Sequence, residues 1–222
     1  MEAGRDALPC MFPHPRFAGA PALCSTIKGR KAPAVRVAPA GAAPGGYAMK
    51  TRQAAPADLP RLNEMYRVLV RQMAGQGHAI WDEVYPCVCL PGDIQAGRLF
   101  VLEDGGAPKA AFALCRDDAA AAAMGWQAPA APALYLARLG VAPACRRTGV
   151  GSRALQAAMA LASGQGAQYL RLFVVESNAP ALAFYRKNGF SKVSGCREED
   201  VGTGVLRELG FEVCLAQSAY GR

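Results

Sequence analysis

The chain has 222 residues, 52% of them hydrophobic, and a formal charge of +8. Soluble domains run ~100–200 residues, so one domain with an appendage fits, and no apolar stretch reaches the ~18 residues of a membrane-spanning helix. Half of the charge excess lies in residues 1–48, with six Lys/Arg against two acids, and the remainder is dispersed, without the basic stripe and interleaved aromatics of a nucleic-acid binder.

Residues 1–48 are rich in Ala, Pro and Gly and carry neither the helical nor the strand period. "KAPAVRVAPAGAAPGG" reads as disordered, because it cannot bury enough apolar surface to offset chain entropy. Three readings stay open: a flexible tail, an organelle transit segment, or sequence upstream of a start at Met49. Domain-like sequence begins directly after Met49, which favours the third, and the domain is expected over residues 49–217. The eight cysteines lack metal-ligand spacing: Cys87 and Cys89 form a lone C-x-C, and His78 is the only histidine after residue 48, so no metal is expected. Cysteines without a secretory signal indicate a reducing compartment, the cytoplasm unless residues 1–48 target an organelle.

Order begins near Lys50, with "KTRQA" as a short strand. In "PADLPRLNEMYRVLVRQMAGQG", Leu59, Leu62, Met65, Tyr66, Leu69 and Met73 recur at helical spacing, and Gly75 and Gly77 close the helix. "PGDIQAG" suggests a short helix. "RLFVLED", the turn "GGAP" and "KAAFALCR" form a hairpin. "DDAAAAAMGWQAPAAP", within residues 117–132, reads as a loop or insertion. "ALYLARLGV" is a buried strand, followed by a Gly-Arg turn and a helix through about Ser163. "QYLRLFVV" is the next strand, and "APALAFYRKNG" is a helix with Pro180 in its first turn and Gly189 as its stop. "FSKVSG" and "ELGFEVCLA" close the domain as strands. The order gives a mixed α/β (α+β) fold whose parallel core is a βαβ unit.

The turn "CRRTGVGSRALQAA" opens that βαβ helix. A helix N-terminus presents unpaired N–H groups and partial positive charge. Gly149 and Gly151 leave its backbone accessible, and Arg146 and Arg147 add donors, which together suit a pyrophosphate. The plainer alternative is a helix start with incidental glycines and solvated arginines. The Walker pattern is absent. Gly149, Gly151 and Ala154 formally satisfy G-x-G-x-x-[GA], with Glu176 ending the next strand. "APACRRT" separates the strand from the first glycine, however, and too little chain follows for a doubly wound sheet. A Ser-His-Asp hydrolase lacks its G-x-S-x-G elbow. Cys145, beside Arg146 and a helix start, reads as an unreactive loop cysteine.

"RRTGVG" matches the [QR]-x-x-G-x-[GA] signature of the GNAT family of N-acetyltransferases. "NAPALAFYRKNGF" matches the next pattern of that family, N-x-x-A-x-x-x-Y-x-x-x-G-F, at Asn178, Ala181, Tyr185, Gly189 and Phe190. The chain from Met49 to Ala216 therefore resembles that family, and "IWDEVYP" is similar to a subgroup of small bacterial members. The resemblance implies a mostly antiparallel sheet with a central splayed parallel strand pair and helices on both faces. It implies acetyl-CoA as acyl donor, its pyrophosphate on Arg146, Arg147, Thr148, Gly149, Val150 and Gly151. The pantetheine arm would lie along the main chain from Leu139 to Val141, as an added strand. Asn178 would bond the arm, Tyr185 would protonate the leaving sulfur, and no metal would take part. The plainer role for Asn178 is an N-cap, and for Tyr185 a bracing aromatic. The general base stays open among Glu103, Asp82, a water chain and none at all. Trp81, Asp82 and Tyr85 fall where similar proteins place substrate-side loops. The acceptor is a small-molecule amine or a protein amino group, with neither nucleic acid nor membrane as partner, and similar proteins often form homodimers. The alternative function is a non-catalytic module that binds or senses acyl-CoA.

Overall fold

The computed structural model describes residues 49–77, 80–82, 84–200 and 204–215. The tail of residues 1–48, His78 and the last two residues of the expected 49–217 span lie outside them. Strand β1 (Lys50–Gln53) is followed by α1 (Leu59–Gly75) and α2 (Leu90–Gln95). The stripe Leu62, Met65, Tyr66, Leu69 and Val70 is buried on α1, as its spacing demands. Next come β2 (Leu99–Asp104) and β3 (Ala107–Cys115), joined by Gly105 and Gly106. Both glycines have positive φ, the requirement of a tight hairpin turn.

The stretch read as a loop from residue 117 to 132 has more structure than its composition suggests. Asp118 caps a single turn over Ala119–Ala123 by accepting the Ala120 N–H at 2.9 Å. Strand β4 (Met124–Gly125) follows, then Trp126, which is 6% exposed and donates its indole N–H to the Ala121 carbonyl at 2.9 Å. Alanine runs carry no strand or helix period, so the segment is ordered by the Asp118 cap, the β4–β8 pairing and the packing of Trp126.

Strand β5 (Ala133–Val141), α3 (Val150–Gly164) and β6 (Tyr169–Val175) form the expected βαβ unit. Helix α4 (Ala179–Lys187) ends before Gly189, whose φ of +88° stops it. "FSKVSG" divides into β7 (Ser191–Lys192) and β8 (Ser194–Gly195), and β8 pairs with β4. Strand β9 (Arg197–Asp200), absent from the sequence reading, hairpins with β10 (Val205–Cys214).

The main sheet runs β1-β2-β3-β5-β6-β10-β7, with β9 also on β10. Among the described residues every pairing in it is antiparallel except β5–β6. Helices cover both faces. On one, Val150, Ala154, Leu155, Ala158 and Ala162 of α3 pack with Leu134, Leu136, Leu170, Leu172, Leu209 and Phe211. The small alanines let the helix approach the sheet closely. On the other, Tyr66 of α1 and Leu90 of α2 pack with Val101, Ala111, Ala113 and Tyr135. Each fully buried large apolar side chain contributes roughly 1.5–3 kcal/mol, so the alternating strand pattern and helical stripes supply most of the driving force.

One irregularity in β5 positions the site. Ala111 faces Gly140 and Ala113 faces Ala137, so Phe112 alone opposes Arg138 and Leu139. Arg138 takes a φ of +54°, a conformation that costs a non-glycine residue about 1–2 kcal/mol. The bulge reverses the alternation: Leu134 and Leu136 face the α3 core, and so do Leu139 and Val141 beyond it. Two contacts hold it. The Tyr66 hydroxyl, 2.6 Å from the Arg138 carbonyl, donates to it, and the Tyr66 ring lies against Gly140, where an added methyl would overlap it. Gly140→Ala is therefore expected to lower stability by about 1–3 kcal/mol through overpacking, read as a reduced midpoint in urea unfolding.

Candidate functional site

The parallel ladder between β5 and β6 runs from Ala133–Tyr169 to Leu136–Leu172 and ends there. Beyond it β5 stays on β3 through Ala110–Val141, while β6 stays on β10 through Val175–Glu208. Residues 137–141 and 173–175 therefore flank a gap between strands that separate, as the resemblance implied. The main chain of Leu139 to Val141 borders that gap, with both side chains partly buried against the α3 core.

At the end of β5 the chain makes a compact turn. The Ala142 N–H bonds the Lys109 carbonyl at 2.8 Å, and the Thr148 hydroxyl donates to the Cys145 carbonyl at 2.7 Å. Arg147 and Gly149 both take left-handed conformations, φ +61° and +84°. Gly149 is the N-cap of α3, no side chain caps that helix, and its first turn holds no acidic residue. The Arg153 N–H reaches back to the Gly149 carbonyl at 3.1 Å, so the N–H groups of Val150, Gly151 and Ser152 belong to the open helix end. Arg146 and Arg147 are exposed beside it, and Arg146 reaches Gln76 Oε1 at 3.3 Å. A helix dipole and orphan donors thus lie beside two exposed arginines, an arrangement suited to an anion. Nothing in the protein's own packing requires glycine at 151: a methyl there would sit at ordinary contact distance, 3.4 Å from Phe184 and 3.5 Å from Val141.

Those two neighbours show what meets at the turn. Phe184 of α4, Val141 of β5 and the first turn of α3 are in mutual reach, and Tyr185 is the next residue on α4. Tyr185 is half-buried, its ring edge-on to Phe184 at 5.2 Å and to Phe190 at 5.7 Å. Burial pushes its hydroxyl well above the usual phenol range. Asn178 is the N-cap of α4, with Oδ1 accepting the Ala181 N–H at 3.2 Å. The plain capping role is thus filled by the oxygen, and the amide nitrogen is the part of Asn178 left to meet a ligand.

The opposite face of the gap was largely invisible in the sequence. Asp93, fully buried on α2, lies 2.6 Å from Arg98 and 2.6 Å from Arg138. Tyr85 also bonds Arg138, and burial pushes its phenol up to about 12. Trp81 stands edge-on to Tyr85 and tilted to Tyr66, each at 6.0 Å. These aromatics pack as a group behind the bulge. Of the candidate bases, Glu103 is paired with Arg52 at 2.7 Å on the β1–β2 edge, with β3 between it and β5. Asp82 accepts the N–H groups of Val84 and Tyr85 within its own loop. Glu103 is thus separated from the gap by β3. A charged residue inside a buried strand, with glycine two positions on, was the available signal for the Arg138 bulge.

Among the described residues no cluster of three or more His, Cys, Asp or Glu side chains could hold a metal ion. Among them, too, no helix is long and apolar enough to cross a membrane. Residues 65–190 match the sequence profile of the Acetyltransferase (GNAT) family. No curated protein sequence matches the chain significantly. Solved structures share the fold. A GNAT-family acetyltransferase from Streptococcus agalactiae is 18% identical with a TM-score of 0.65, covering 75% of this chain and 95% of its own. One from Listeria monocytogenes is 21% identical with a TM-score of 0.61, covering 76% and 97%. A Salmonella typhimurium protein solved with its cofactor acetyl-CoA is 18% identical with a TM-score of 0.56, covering 75% and 94%.

Proposed function

The chain belongs to the GNAT acetyltransferase family, and from that premise we propose that it moves an acetyl group from acetyl-CoA to an amino group by direct attack of the amine on the thioester. The observation that carries this reading is that the uncapped α3 end, the β5–β6 gap and Phe184 of α4, the neighbour of Tyr185, meet at one place. The residues fit the donor. The Val150 and Gly151 N–H groups with Arg146 and Arg147 would hold the diphosphate, and Thr148 and Gly149 shape the turn around it. Main-chain groups of Leu139 and Val141 would pair with the amides of the pantetheine arm as a neighbouring strand does. Asn178 Nδ2 would donate to the same arm while its oxygen keeps the cap.

With the arm in the gap, the thioester lies near α4. Amine attack on the carbonyl carbon forms the C–N bond, and collapse breaks C–S. The departing thiolate needs a proton, and Tyr185, held in its phenol form by burial, can supply it. Acetyl-CoA is expected to stabilise the protein by about 2.7 kcal/mol at a hundredfold excess over Kd, a Tm rise of roughly 5–10 °C at this size. Thermal-shift melts with acetyl-CoA, with NADH as control, test it. No rise with acetyl-CoA, or an equal rise with NADH, defeats the reading.

A further inference from the structure

A direct transfer has a second requirement, which the residues above leave unmet. Primary amines are mostly ammonium ions at neutral pH, and an ammonium has no lone pair with which to attack. Something beside the gap must take a proton.

Strand alternation shows where to look. Val174, Leu209 and Phe211 face the α3 core. Phe173 packs into the opposite core with Tyr135 and Trp81, so Val175 shares its face on β6, and Glu208 and Gly210 share it on β10. Glu208 is registered directly against Val175, at the last residue of the strand that separates from β5. Four carboxylates stand on this side of the sheet: Asp93; Asp118, which accepts the Ala120 N–H at 2.9 Å as the cap of its own turn; Glu212, beside Arg171 in the paired part of β6; and Glu208. Asp93 is held by two arginines. Glu212, 2% exposed, is bound by Arg171 at 3.2 Å and by the Gln127 N–H at 2.8 Å. Glu208 differs. Its side chain is 26% exposed, and its ion pair with Arg197 is long, 3.4 Å. Arg197 meanwhile holds Glu199 at 2.6 Å, so its charge is shared.

We propose that Glu208 is the catalytic group that accepts the proton of the acceptor ammonium ion at the β10 side of the gap. This rests on the acetyl-transfer reading. The protein opposes Tyr185 and Glu208 across the gap: Tyr185 is on α4, which covers the α3 face, and Glu208 projects from the other face. In the step itself, R–NH3+ gives one proton to the Glu208 carboxylate, and the freed lone pair forms the C–N bond. The C–S pair leaves on sulfur, which takes the Tyr185 proton. The second proton of the attacking nitrogen returns to Tyr185 through water, and Glu208 releases its proton to solvent. The sum is ammonium plus thioester giving amide, thiol and one proton.

The surroundings make the Glu208 carboxyl hold a proton more readily than a free one does. Burial raises the Glu208 carboxyl, as do Asp118 at the start of the Ala119–Ala123 turn and Glu199 on β9, while Arg197 lowers it. Tyr85 faces it from the loop after α1 and senses its charge. On the β6 side, Glu176 is occupied by Arg207 at 2.9 Å.

The test is free-thiol release from acetyl-CoA, with a panel of primary amines and with water alone, run beside acetyl-CoA thermal-shift melts. Glu208→Gln is expected to lower kcat about 100-fold or more while acetyl-CoA raises its Tm as in the parent. Its rate should then follow the ionisation of the amine alone, climbing at higher pH. Arg197→Met removes the charge that lowers the Glu208 carboxyl, so the acid limb of the kcat profile should move to higher pH. E208Q within about threefold of the parent, or an acid limb unmoved in R197M, overturns the assignment. Parent protein that is stabilised by acetyl-CoA yet releases no thiol overturns it too. Parent protein that acetyl-CoA fails to stabilise defeats the acetyl-CoA reading itself.

Discussion

Tyr185→Phe is expected to lower kcat about 100-fold or more while leaving acetyl-CoA binding intact, since a positioned general acid contributes ~100- to 10,000-fold. The ring is braced by Phe184 and Phe190, and phenylalanine preserves both contacts. Among the described residues the hydroxyl makes no hydrogen bond, so its loss strands no partner. The pH dependence has a definite sign. Burial raises the phenol above its usual value, so it stays protonated through the neutral range and contributes no limb there. Steady-state kinetics with acetyl-CoA, paired with thermal-shift melts, check both halves. Unchanged kcat would remove Tyr185 from the chemistry, and a parent that binds acetyl-CoA without any turnover would favour a module that only binds acyl-CoA.

Asp93→Ala is expected to destabilise the fold by about 3–5 kcal/mol, because removing one partner of a buried ion pair leaves the other charge uncompensated. At this size each kcal/mol moves Tm by ~2–4 °C, so calorimetry should record a fall of roughly 6–20 °C. Arg138 is 7% exposed and cannot rehydrate in place. A second consequence distinguishes this site from any other buried pair. Arg138 sits at φ +54°, and its ion pair with Asp93 offsets that conformation. When the pair goes, the bulge should relax, and the edge from Leu139 to Val141 should lose its alignment with the gap. Stabilisation by acetyl-CoA should shrink in Asp93→Ala. It should persist in Glu212→Gln, which breaks the buried Arg171 pair away from the bulge. Equal responses in the two variants would mean that Asp93 serves stability alone.

The parts legible in the sequence are those whose cause is local. The turn and α3 announce themselves because glycine at a left-handed N-cap and two adjoining arginines are contiguous. Asn178 to Phe190 reads as one helix because cap, proline, tyrosine and stop glycine keep fixed offsets within it. The Gly105–Gly106 hairpin follows from backbone conformations that glycine adopts readily. The 117–132 stretch did not read this way. Trp126 is ordered by Phe173 and Tyr135, ring centroids 5.7 and 6.2 Å away, and neither is near in the chain.

The sequence by itself determined the βαβ unit, the Gly-Arg turn at the start of α3 and the helix carrying Tyr185, since helix termini, turns and strand alternation depend on neighbours a few residues apart. Only the tertiary structure decided where the parallel strands part, how Arg138 bends β5, and which carboxylate stands against Val175. Asp93 reaches Arg138 across 45 residues, and Glu208 meets Val175 only through β-sheet register. Charge pairing and strand register are settled between segments distant in the chain, and spacing along one segment carries no trace of them.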